Sequence, residues 1–332
     1  MTDSPVPISF LVDDPTPVHH LYRYHVADIH GEKPFTGDGR ELVKEVDDGF
    51  LDRFCDVVER RGIRGKFSIV PSPMGRGDVA RGLDGVEPGR VSRWMDTAKR
   101  RLHPWMDFSP EMITHHWAVD LATGGLLKES EHDWSQRQDR RTLEPYIARA
   151  LALLKDAGVD ATGVTSPWMF GESVEAEYAA AIAGAQDRVN GRKLSWYFLH
   201  VDGKPGARPR VVHRADGRTV VHIPVVTDDL LWCTIHEHAA SSPALVAELA
   251  GQYLSADGRE GVLRRALDAG SWPSFVCHWQ TLYSNGAETG LAVLDEVARR
   301  VNEALKGKAC WTRCSEAAAM VVEGPVSPGR MS

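Results

Sequence analysis

Short apolar runs rich in β-branched residues alternate along this chain with longer stretches whose apolar positions recur at helical spacing. The first run, Ile8 to Val12, stops at Asp13-Asp14-Pro15 and predicts a buried strand that carries two carboxylates to its open end. A turn that merely ends the strand would use the same residues, since Asp and Pro are ordinary strand stops. Pro15 to Gly39 reads as a long loop holding His19, His20, Tyr22, Tyr24, His25 and His30, and loops of that length are usually functional or mobile. From Glu41 to Arg61 the positions Leu42, Val43, Val46, Phe50, Leu51, Phe54, Val57 and Val58 predict a helix, with Gly62 as its stop. Lys66 to Val70 is the next strand, closed by Pro71 and Pro73.

The alternation continues. Arg90 to Leu102 predicts a helix, Glu111 to His116 a strand or strand end, and Leu143 to Ala157 a helix stopped by Gly158. Val159 to Thr165 predicts a strand ending in Ser166-Pro167-Trp168-Met169-Phe170-Gly171, Val174 to Ala185 a helix, and Leu194 to Leu199 a strand ending at His200. Val211 to Val226, broken at Ala215-Asp216-Gly217-Arg218, has the form of a hairpin whose second arm runs on to Asp228-Asp229. Pro243 to Ala269 predicts one helix, Ser274 to Cys277 a strand delivering His278 and Trp279, and Leu291 to Leu305 the last long helix. With no internal repeat and no linker, this order favours a parallel α/β architecture in one domain over residues 1–324, with 325–332 as a disordered tail.

Composition narrows the class without naming the chemistry. The 332 residues are 42% hydrophobic and 26% charged, as in an ordinary soluble protein. No apolar run approaches the ~20 residues of a membrane span. Met1 to Pro5 lacks a basic start and apolar stretch, so a cytoplasmic location is expected. A formal charge of -7 with mixed signs and no long basic run argues against nucleic acid as the main partner. Five cysteines without a CxxC pair read as reduced thiols, with Cys55, Cys233 and Cys277 among apolar neighbours. Neither a Walker pattern nor a GxGxxG fingerprint occurs in the Gly-rich segment before Gly89. Several of the ten tryptophans flank polar clusters (Trp117, Trp134, Trp168, Trp232, Trp279), which suits a hydroxyl-rich ligand, although core packing accounts for most tryptophans.

Polar groups recur after successive predicted strands: Asp13 and Asp14, then His115, His116 and Asp120, then Ser166 to Gly171, then Asp228 and Asp229, then His278. Strand ends of a barrel converge on one mouth, so residues distant in sequence can meet there. A lone histidine is more often a satisfied core or surface residue, and it is the recurrence that points to a site.

These residues resemble the metal-dependent polysaccharide deacetylases of the NodB-homology superfamily, carbohydrate esterase family four, from about Ile8 to Met320. The resemblance implies a distorted (β/α) barrel of the NodB-homology type. In that family a strand ends in two aspartates, and by resemblance Asp13 is the catalytic base and Asp14 a metal ligand. The next motif supplies two histidine ligands four residues apart. Here His116 and Asp120 have that spacing with a carboxylate second, and His115 is the alternative ligand. The third motif, Arg-x-Pro-x-Gly, keeps its proline and a nearby glycine at Pro167 and Gly171 but lacks the arginine, whose task of fixing the base is unfilled or moved. By resemblance His278 is the general acid.

The residue chemistry agrees with that outline. An Asp/His/Asp donor set would hold Zn²⁺, or Mn²⁺ or Mg²⁺ given its anionic character, to polarise an acyl carbonyl and acidify water. Imidazole exchanges protons near neutral pH, which suits His278 to a leaving group. Trp168 or Trp279 could stack on a sugar, with Asp228 as a further substrate contact. The expected activity is removal of an acetyl or other acyl group from a carbohydrate. Two readings compete: a metal-free glycosidase or lyase using carboxylates such as Asp13, Glu131 or Asp228, and a non-catalytic glycan-binding protein.

Overall fold

A computed structural model describes residues 4–323; the tail expected at 325–332 lies outside them. Two four-stranded sheets are built from β1 (Phe10–Asp13), β2 (Gly65–Ile69), β3 (Met106–Pro110), β4 (Gly163–Thr165), β5 (Leu194–Phe198), β6 (Arg210–Ala215), β7 (Arg218–His222) and β8 (Phe275–His278). Their orders are β8-β1-β2-β3 and β6-β7-β5-β4. Only the β6–β7 hairpin is antiparallel; the other pairs are parallel. The α/β class with parallel strands is therefore as expected.

β1 is buried at every residue, so both of its edges are paired, to β8 and to β2. Gly65 makes the second pairing feasible, because a Cβ there would collide with the Phe10 carbonyl. The two sheets meet at a parallel bridge between Glu111 and Thr165. Beyond β7 the chain returns to β8, where the Val226 N–H donates to the Ser274 carbonyl at 2.8 Å. Asp13 and His278 are register partners. In parallel sheets the segments after β3, β4 and β5 emerge on that same side.

The helices include α1 (Phe50–Arg61), α2 (Pro88–Leu102), α3 (Arg140–Asp156), α4 (Glu175–Asn190), α5 (Pro243–Tyr253), α6 (Val262–Asp268) and α7 (Thr289–Ala304). The Asp139 side chain caps α3 by accepting the Thr142 N–H, and Gly62 ends α1 at φ 66°. α1 starts later than its apolar spacing predicts, because residues before it pair with the preceding loop: the Val46 N–H donates to the Val18 carbonyl, and His19 bridges Glu45. The helix expected over 243–269 is two helices, α5 and α6, with Gly258 and Gly261 at positive φ between them. The long loop after β1 contains a helical turn, Leu21–Tyr24, running into a wider π-turn, His25–Ile29.

Trp279 belongs to the core. The chain turns into a short helix, Trp279–Tyr283, directly after β8, and the Trp279 ring lies 4.5–6.5 Å from those of Phe50, Phe54, Phe67 and Trp94. At 1% exposure it cannot stack on a ligand, which corrects the expectation from sequence. The five cysteines are free thiols. No helix among the described residues is long and apolar enough to cross a membrane.

Candidate active site

Asp14, Glu111 and His115 each bring a ligand atom to one point, all within 4.8 Å of one another. Asp14 reaches it through its backbone. In a regular strand neighbouring side chains face opposite ways, but Asp14 has φ 67°, and both aspartates line one cavity. Its N–H donates to Glu111 Oε2 at 2.6 Å, and Gln280 donates to Asp14 Oδ2 at 2.5 Å. His115 Nε2 lies 2.7 Å from Asp14 Oδ1 and 3.5 Å from Glu111 Oε1.

Charge crowding bears on what this point can hold. Burial, and then the charges of Asp13 and Asp14, push the Glu111 carboxyl up to about 8. Burial opposes ionisation of Asp14 as well, but the charges of His115, His278 and His25 hold its carboxyl well below the usual range. Asp14 Oδ1 is buried and receives no well-directed hydrogen bond. Two carboxylates and an imidazole whose ligand atoms meet within 4.8 Å in a buried group fit a divalent cation.

The loop carrying Glu111 and His115 is held from two sides. Below it, the buried Glu131 carboxylate accepts the backbone N–H groups of Ile113, Thr114 and His115 at 3.0, 3.1 and 2.7 Å, and the Tyr146 hydroxyl at 2.6 Å. Above it, His25 Nε2 donates to the His115 carbonyl at 2.7 Å, and its ring stacks on that of His115 at 4.7 Å. Trp168 meets both rings edge-on, at 4.4 and 4.6 Å. Met112, His115, Trp168 and Met169 share with Asp14 the left-handed backbone region. Each such non-glycine residue costs on the order of 1–3 kcal/mol, and strain of this kind concentrates at functional sites.

Two further pairs adjoin the cavity, each through one wall residue, Asp13 and His278. The fully buried Lys66 ammonium contacts the Asp13 carboxylate and lies 2.5 Å from Ser68 Oγ. On the other side Asp229 Oδ2 accepts from His278 Nδ1 at 3.0 Å, from the His278 backbone N–H at 2.8 Å and from the Thr281 hydroxyl at 2.6 Å. Burial alone would depress the His278 pKa, but the Asp229 hydrogen bond and the charges of Asp14, Asp229 and Asp13 push it up to about 10. Its side chain remains 21% exposed, open to the cavity.

The cavity measures about 580 Å³ and brings together Asp13, Asp14, His115, Trp168, Asp228 and His278 of the residues singled out from sequence. Asp120 is absent from it. Trp117–Val119 is extended and pairs with Leu126–Ser130, so no helical turn carries residue 120 back beside 116. The exposed Asp120 carboxylate instead accepts from the Ala122 N–H and the Thr123 hydroxyl at 2.9 Å each, which excludes it as a ligand here. His116 is buried away from the group, its Nε2 3.6 Å from Asp28, so His115 is the histidine that reaches Asp14. Glu131 does not line the cavity, and its oxygens are occupied by the loop, which removes it as a catalytic carboxylate.

Sequence reasoning missed Glu111, Lys66 and the distinct place of Asp229. Glu111 stands four residues before His115, so the spacing sought at 116 and 120 occurs five residues earlier. Lys66 and Ser68 alternate with Phe67 in a strand otherwise apolar, a sign of a polar inward face.

No protein-family model matches the chain, and no characterised protein matches it in sequence. Solved structures do match. A candidate polysaccharide deacetylase from Mycobacterium smegmatis superposes with a TM-score of 0.53 at 14% identity, covering 100% of this chain and 96% of that one. Another from Pseudomonas aeruginosa PAO1 gives 0.51 at 12% identity, over 98% and 94%. The chain has the fold of these polysaccharide deacetylase-like proteins.

Proposed function

We propose that this chain is a metal-dependent hydrolase that removes an acyl group, in the first instance acetyl, from a carbohydrate. In this reading the two sheets form one distorted (β/α) barrel of the NodB type, a single domain spanning residues 1–324. The observation that carries it is the convergence of Asp14, Glu111 and His115 on one point of a cavity that also holds Asp13 and His278.

Asp14, Glu111 and His115 would hold the divalent ion, Zn²⁺ or, with two oxygen donors of three, Mn²⁺ or Mg²⁺. When bound, such an ion polarises an acyl carbonyl and lowers the pKa of water. Asp13 takes the proton of the attacking water, whose oxygen bonds to the acyl carbon. The buried Lys66 holds the Asp13 carboxylate in place, taking the task that the resemblance gives to the missing arginine. As the bond from the acyl carbon to nitrogen or oxygen breaks, His278 protonates the leaving atom, and Asp229 holds the imidazole for it. The half-buried Trp168 offers an aromatic face to a sugar ring, and Asp228 a hydrogen-bond acceptor at the mouth.

Acetate release from acetylated amino-sugar oligosaccharides and acetylated xylans, with and without chelator, tests this. The reading requires release that chelation abolishes and added Zn²⁺ or Mn²⁺ restores. Chelator-insensitive release, or glycosidic cleavage without acetate, would contradict it.

A further inference from the structure

Outside the ligand group the cavity wall has a charge pattern of its own. Asp13 is paired with Lys66, Asp14 and Glu111 meet His115 at the point that would hold a divalent cation, and His278 is paired with Asp229. Asp228 and Glu172, which also line the cavity, have no such counterpart. Among the described residues neither pairs with a lysine or arginine, and no lysine or arginine lines the cavity. Among the described residues, His200 at 3.9 Å is the one basic side chain within 4.0 Å of Glu172, whose side chain is 44% exposed. Aromatic rings share the wall: Trp232 lies 5.1 Å from Tyr22 and 5.0 Å from His278, and Trp168 stands beside His25. Carboxylates and aromatic faces with no lysine or arginine among them suit an ammonium group. A cavity of about 580 Å³ suits a ligand of roughly disaccharide size.

We propose that this cavity selects sugars carrying a free ammonium group near the acylated position, and turns away uronates and sulfated or phosphorylated sugars. Asp228 and Glu172 set the preference, with Trp232 and Trp168 as the aromatic faces. This rests on the carbohydrate reading above and names the charge class of its substrate.

Binding separates the two claims. Chitobiose, its N,N′-diacetyl form and a glucuronate disaccharide are titrated by calorimetry into the full-length Asp13→Asn variant with Zn²⁺ present. A solution of about pH 6 keeps the sugar amines protonated. The expected result is binding of chitobiose about tenfold or more tighter than the neutral diacetyl form, with the glucuronate weakest. Added salt should shrink the ratio, and Asp228→Asn with Glu172→Gln should bring it close to one. Equal or tighter binding of the diacetyl form, comparable binding of the glucuronate, or a ratio that survives the double substitution would overturn the proposal. Since no turnover is read, absence of acetate release in the separate assay counts against the deacylation reading alone.

Discussion

Glu131 Oε2 accepts the backbone N–H of His115 at 2.7 Å, and through this contact a side chain outside the cavity sets the position of one inside it. Its other oxygen takes the two preceding N–H groups and the Tyr146 hydroxyl, so one buried carboxylate satisfies the donors of a whole turn. Glu131→Gln would point an amide donor at backbone donors. At least one buried N–H then loses its acceptor, at about 1–3 kcal/mol of stability. Metal affinity should fall about 10- to 100-fold, as for other changes to groups that orient a ligand. Urea unfolding and a metal titration check both, and wild-type values in the two experiments would show that Glu131 is a bystander.

Lys66 and Asp13 should be energetically coupled. Lys66→Met leaves a buried carboxylate without its cation, a change that typically costs about 3–5 kcal/mol. Lys66→Met combined with Asp13→Asn removes both charges and should recover much of that loss. Unfolding of the four proteins gives the coupling energy, and a value near zero would contradict the pairing. Lys66→Met should also depress turnover while metal content stays at the wild-type level.

The pH dependence follows from His278. Its folded value, about 10, lies above the ordinary 6.5, so its contribution to stability is full below about 6.5 and is lost as pH rises through about 10. The same proton makes His278 an acid across neutral pH, so kcat should fall on the alkaline side as the imidazole loses it. In Asp229→Asn that limb should move to lower pH, because the hydrogen bond and one of the charges are gone. An NMR titration of the His278 ring protons reads the shift directly. An ordinary value in the wild type would leave Asp229 without the part assigned to it.

Much of this architecture could be read from the chain, and the failures have local causes. Ile8 to Val12 and Ser274 to Cys277 were legible as strands because apolar runs stop at charged or polar residues, whereas their direct pairing is seen only in the structure. The pairing of Asp13 with Asp14 at one cavity needed the chain to leave strand geometry, which it does at Asp14 through a left-handed conformation that Asp tolerates better than most residues. Asp120 drew attention through a helical spacing, but the backbone there is extended, and four residues of strand span about 13 Å. Glu111 was hidden in a segment read as strand, where Met112 and His115 in fact adopt left-handed conformations that fold residues 111 and 115 together. Lys66 was invisible as a site residue because only the three-dimensional register carries its ammonium to Asp13.

The ligand group is the centre of this account, and metal content of variants tests it most directly. Wild type, Glu111→Ala and Asp120→Ala are purified without added metal, re-equilibrated with Zn²⁺ or Mn²⁺, and assayed for bound ion by elemental analysis beside circular dichroism for folding. The account predicts close to one equivalent in wild type and in Asp120→Ala, and loss of the ion from a folded Glu111→Ala. Retention of the ion by Glu111→Ala, or its loss from Asp120→Ala, would contradict it.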